Sequence, residues 1–74
     1  MFRNNELEHD ILDYIRNHQQ ENINSVDIGC AVLIDSDKHT GMDMEDVMNA
    51  LSYLENDVII VRVPDGIRYK YITV

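Results

Sequence analysis

Seventy-four residues make one small domain, residues 1–74, with no room for a second core. Apolar residues at 45% suffice to build that core, while a lone cysteine, Cys30, excludes a disulfide framework and a CxxC zinc site. Fourteen acids against six bases give a net charge of −8, a balance that repels nucleic acid and attracts basic partners.

The charge is unevenly spread. Residues 1–57 hold thirteen of the acids against Arg3, Arg16 and Lys38, whereas residues 58–74 set Arg62, Arg68 and Lys70 against Asp65. The longest apolar runs, Cys30 to Ile34 and Val58 to Val61, are far too short to span a bilayer. Acids at Glu6, Glu8 and Asp10 interrupt any signal-peptide core, so an intracellular, reducing location is expected.

Asn5 followed by Glu8 reads as a capping-box start. Behind it Leu7, Ile11, Leu12 and Ile15 recur at three- and four-residue spacing, which predicts a helix from Glu6 to His18 with one apolar stripe. Ile23 precedes Asn24 and Ile28 follows it by four, a hydrophobic staple opening a short helix that runs to Leu33 or Ile34. Beside Gly29 and Ala31, Cys30 reads as a buried structural thiol. Residues 35–41 form a polar connector. Met42 then precedes Asp43, a cap with Asp46 at its third helical position, and Val47, Ala50, Leu51 and Leu54 line one face of a third helix ending near Asn56.

The period then changes. Val58–Val63 and Ile67–Val74 are β-branched and aromatic runs on either side of Pro64-Asp65-Gly66, which predicts a bulged hairpin with Gly66 left-handed. With Val63 opposite Ile67, the pairs Val61–Tyr69 and Ile59–Tyr71 share one side, and the other carries Ile60, Arg62, Arg68 and Lys70. Three helices followed by a two-stranded wing are the order of an α+β winged helix-turn-helix.

A DNA-reading winged helix needs Arg, Lys, Asn or Gln on the outer face of its third helix. This one offers Asp43, Glu45, Asp46, Asn49, Ser52 and Glu55, and acids facing phosphates lose the counterion-release contribution to affinity. A solvated acidic face is the plainer reading. The bases of the wing, Arg62, Arg68 and Lys70, either pair with the protein's own acids or meet an anionic partner.

The connector does not fit a calcium loop, because the sixth position counted from Asp35 is Thr40 and the twelfth is Asp46, where Gly and Glu are required. His9, His18 and His39 lie on separate stretches without metal-ligand spacing. No nucleophile has a neighbouring base, and no glycine-rich phosphate cradle is present. The expectation is a non-enzyme with no catalytic residues, no cofactor and no metal.

The segment Ala50-Leu51-Ser52-Tyr53-Leu54-Glu55-Asn56-Asp57-Val58-Ile59-Ile60-Val61 resembles the C-terminal winged-helix domain of the middle subunit of replication protein A. Ile11-Leu12-Asp13-Tyr14-Ile15 and the Ile23–Ile28 region are also similar. Val58 stands where that family has Gly. The resemblance implies a protein-recruitment module of DNA replication and repair, nuclear in location, that binds basic amphipathic helices of its partners against the wing. Together with the charge and the adaptable tyrosines, it makes Asp57, Arg62, Asp65, Tyr69 and Tyr71 the candidate contact surface. The alternative is a small DNA-binding regulator acting as a homodimer, so that two wings add their charge. Its contacts would be phosphates at Lys38, Arg62, Arg68 and Lys70, and bases at Asn49 and Ser52.

Overall fold

A computed structural model describes residues 3–19, 21–66 and 68–74, with the side chains of Asp65 and Arg68 outside the description. Helix α1 spans Asn5–Asn17. Its N-cap is Asn4 rather than Asn5: the Asn4 side-chain oxygen accepts the Leu7 N–H at 2.9 Å, the bond expected of a cap to its third helical residue. Glu8 is therefore no capping-box partner. It lies buried, 6% exposed, against Arg3. Leu7, Ile11 and Ile15 form the buried stripe, and Leu12 packs only half-buried at its margin.

Helix α2, Ser25–Gly29, opens with the predicted Asn24 cap, and Asp27 closes the capping box. Ile23 and Ile28 are both buried, as the staple requires. Past Gly29 the chain widens into a π-turn over Cys30–Ile34, in which the Asp35 N–H reaches back five residues to the Cys30 carbonyl at 3.1 Å. The thiol of Cys30 is exposed, contrary to the buried position expected of it. It is Gly29 that takes the close contact, since a Cβ there would meet the Met44 sulfur.

The connector is pinned to α1, not merely solvated. His39 is buried, and its Nε2 lies 2.7 Å from the Asp10 carboxylate, to which it donates. Helix α3, Met44–Asn56, starts at the predicted Asp43–Asp46 capping box and buries Val47, Ala50, Leu51 and Leu54. It ends in a Schellman motif: Val58 N–H bonds Glu55 O and Ile59 N–H bonds Leu54 O, each at 3.0 Å. That motif places Val58 at φ 57°, a conformation that β-branched residues rarely adopt.

Strands β1, Ile60–Asp65, and β2, Arg68–Thr73, form one antiparallel hairpin. The register differs from the expected one. Pro64 and Asp65 lie within β1, and Asp65 pairs with Arg68, so the loop is Gly66-Ile67, of which Ile67 lies outside the described residues. A two-residue loop needs positive φ at its first position, and Gly66 supplies φ 68°. Val74 N–H bonds Ile59 O at 3.0 Å, which by alternation puts Pro64–Tyr69 at a non-hydrogen-bonded pair. There the missing proline N–H costs the ladder nothing.

The new register exchanges the faces. Ile60, Arg62 and Pro64 now share a side with Thr73, Tyr71 and Tyr69, and Ile60 and Tyr71 seal the helical core. The opposite side carries Val61, Val63, Lys70 and Ile72, all half-exposed. Gln19 closes the β2 edge, its Oε1 accepting the Thr73 N–H at 3.2 Å and its Nε2 donating to Thr73 Oγ1 at 2.9 Å. The result is an α+β domain of three helices and a two-stranded hairpin. Among the described residues no helix is long and apolar enough to cross a membrane.

Candidate partner-binding groove

Where α3 meets the hairpin, the chain forms a groove of about 310 Å³ lined by Met48, Leu51, Ser52, Glu55, Asn56, Arg62 and Tyr71. Its construction follows from two periodicities. Met48, Ser52 and Glu55 recur at helical spacing on α3 beside the buried Leu51, and Arg62 and Tyr71 are a cross-strand pair. Tyr71, 2% exposed, forms the floor, and its ring meets that of Tyr69 edge-on at 5.6 Å. Burial first, then the neighbouring Tyr69, pushes the Tyr71 hydroxyl well above the ordinary tyrosine range.

Arg62 closes one wall. Its Nε donates to Glu55 Oε2 at 3.1 Å, and its guanidinium stands 5.4 Å from the Tyr69 ring centre. The charge of Glu55, and after it Tyr71, holds the guanidinium still more firmly protonated. The arginine of the hairpin is thus bound to the third helix of its own domain.

Asp57 stands at the C-terminal end of α3, its carboxylate 2.9 Å from Arg3 Nη2. Arg3 also grips Glu8 at 2.6 and 3.1 Å and lies 4.7 Å over the Tyr53 ring. Of the expected contact residues, Arg62 and Tyr71 therefore line one groove, Tyr69 packs beside both, and Asp57 belongs to a neighbouring clamp. Asp65 and Arg68 have side chains outside the described set.

The expected nucleic-acid contacts are dispersed. Ser52 lines this groove, whereas Asn49 lines another, of about 400 Å³, with Leu7, Met42, Ala50 and Tyr53. Lys38 belongs to a third hollow beside Asp10 and Asp13. Lys70 points to the face of the hairpin opposite Arg62, so these two bases do not share the single basic face that was expected. Among the described residues no group of three His, Cys, Asp or Glu side chains is placed to hold a metal ion.

Glu55, Arg3 and Met48 were not among the expected contacts, because the pairings that place the first two join distant positions. Glu55 and Arg62 are seven residues apart across a helix end, and Arg3 and Asp57 are 54 apart. Met48 carries only the adaptability common to any methionine. The chain matches no family model, no curated protein and no solved structure.

Proposed function

We propose that the chain is a non-catalytic winged-helix module that holds a basic amphipathic helix of a protein partner in the groove between α3 and the hairpin. The replication protein A resemblance supports reading that recruitment as part of DNA replication or repair. The observation that carries the reading is the Arg62–Glu55 pair at 3.1 Å. The wing arginine that a phosphate would need is engaged by an acid of the helix that would have to enter the DNA groove. The remaining acids of α3 alongside DNA forfeit counterion release. A basic helix meets the opposite situation, since Glu45, Asp46 and Glu55 steer it toward Met48 and Tyr69, both partly exposed. Groove volume and polarity together fit a weak, salt-sensitive contact.

The test is a pair of titrations. A basic amphipathic peptide should shift NMR signals of Met48, Ser52, Arg62 and Tyr69, and Glu55→Lys should weaken that binding, with circular dichroism confirming the fold. A fluorescent duplex should bind negligibly even at about 50 mM salt. Duplex binding abolished by Arg62→Glu or Lys70→Glu would overturn the reading in favour of a wing-led DNA binder.

A further inference from the structure

The segment 25–34 is apolar on every side. Its inner face buries Ile28 and Val32, and Ala31 and Leu33 are half-buried. Its outer face nevertheless carries Val26, 60% exposed, Ile34, 73% exposed, and the exposed Cys30. Its one charge, Asp27, is occupied by the capping box. A helix that is hydrophobic all round is ordinarily buried all round, so this one has a face without its cover.

The π-turn sets the shape of that face. In a continuous α-helix each residue advances about 100°, so Val26 and Ile34 would drift about 80° apart over eight residues. The wider turn over Cys30–Ile34 advances less per residue and removes much of the drift. Val26, Cys30 and Ile34 therefore run nearly in line for about 12 Å.

The surroundings select the occupant. Residues 21–37 contain Glu21, Asp27, Asp35 and Asp37 and no base, and all four acids are exposed. A second copy docked about a two-fold axis would set these acids against one another, and an anionic lipid surface would be repelled. The three side chains offer on the order of 200 Å² of apolar surface, far below the about 800 Å² per partner of a stable protein pair. A single short helix fits that area.

We infer that the outer face of α2 and its π-turn is a second docking site, separate from the α3–hairpin groove, for a basic amphipathic helix of about three turns. It rests on the same reading of the chain as an acidic recruiter and adds a place and a size to it. Cys30, the only cysteine, sits at the middle of the line and reports on it directly.

The experiment uses a leucine–lysine amphipathic peptide as probe on the full chain. Binding should slow alkylation of Cys30 by iodoacetamide severalfold. Val26→Glu and Ile34→Glu should each weaken binding at this site tenfold or more while leaving the melting temperature near that of wild type. Prior coupling of Cys30 to a bulky maleimide should block the site without any substitution. Peptide binding that shifts the α3–hairpin groove but leaves Cys30 alkylation and both glutamate variants unchanged would overturn the second site and leave the groove standing. Failure of any basic peptide to bind would overturn both. Val26- and Ile34-dependent binding to vesicles of neutral lipid, with no peptide binding, would replace the helix by a membrane and equally refute the inference.

Discussion

Val58 is the residue whose replacement should improve the protein. It occupies the position after the α3 cap at φ 57°, with its side chain 63% exposed. The left-handed basin costs a residue bearing a Cβ about 1–2 kcal/mol, and branching at Cβ puts valine toward the upper end. Glycine escapes that cost but surrenders about 0.5–1 kcal/mol of additional chain entropy. Losing the isopropyl group forfeits about a third of the about 1.5–3 kcal/mol that full burial is worth. The balance for Val58→Gly is a gain of about 0.5 kcal/mol, or a rise in Tm of about 2–4 °C for a domain this size. Thermal melts followed by circular dichroism, with urea midpoints alongside, would resolve it. Val58→Ala keeps the Cβ and loses the methyl contacts, so it should melt at or below wild type. If glycine proves no more stable than alanine here, the strain argument is wrong, because within a helix glycine is the worse of the two by about 1 kcal/mol.

Gly66→Val should destabilise by about 1 kcal/mol or more. Nothing lies within 4 Å of the added Cβ, so the φ of 68° alone carries the penalty; an unchanged melt would count against the two-residue loop. Leu51→Ala removes a side chain 1% exposed and should cost about 2–5 kcal/mol in a denaturant titration, whereas half-buried Leu12→Ala should cost clearly less. Gly29→Ala meets only the thioether end of Met44, a side chain 37% exposed that can swing aside, so its melt should stay near wild type or rise by up to about 1 kcal/mol of helix propensity; a clear loss of stability would mean that Met44 cannot move. Tyr71 ionises above its ordinary pKa of 10.0 when folded, chiefly through burial. Its contribution is therefore intact below about pH 10 and is lost as pH rises toward the folded value. Tyr71→Phe should flatten that part of the alkaline unfolding curve, and an identical curve would refute the assignment.

Local chemistry was legible in the chain, and relationships between distant segments were not. The caps at Asn24 and Asp43 are each completed by an acid three residues on, and such reciprocal pairs announce themselves. Asn4 and Asn5 are adjacent and chemically equivalent, so composition could not choose between them; the Leu7 N–H does. Gly66 was identifiable as left-handed, but Pro64-Asp65-Gly66 suits a three-residue loop as well as Gly66-Ile67 suits a two-residue one. That ambiguity decided the face of Arg62, and with it the candidate groove. Cys30 was misplaced because small neighbours on both sides suggested burial, whereas helical spacing sets it about 200° from buried Ile28 and from buried Val32. His39–Asp10 and Arg3–Asp57 join residues 29 and 54 apart, and only tertiary structure brings them together.

The outward face of the hairpin sets the terms on which this protein stays in solution. Val61 pairs with Ile72 across the strands, and Val63 and exposed Val74 extend the same surface, a β-branched run that Lys70 interrupts among the described side chains. Colloidal stability consequently depends on mutual repulsion of the −8 charge and little on the polarity of that face. Near pH 4.5, where the charge vanishes, the repulsion is gone while the hairpin surface is unchanged. Pro64, which has no N–H to offer a neighbouring strand, then stands as the main local obstacle to edge-to-edge association along β1.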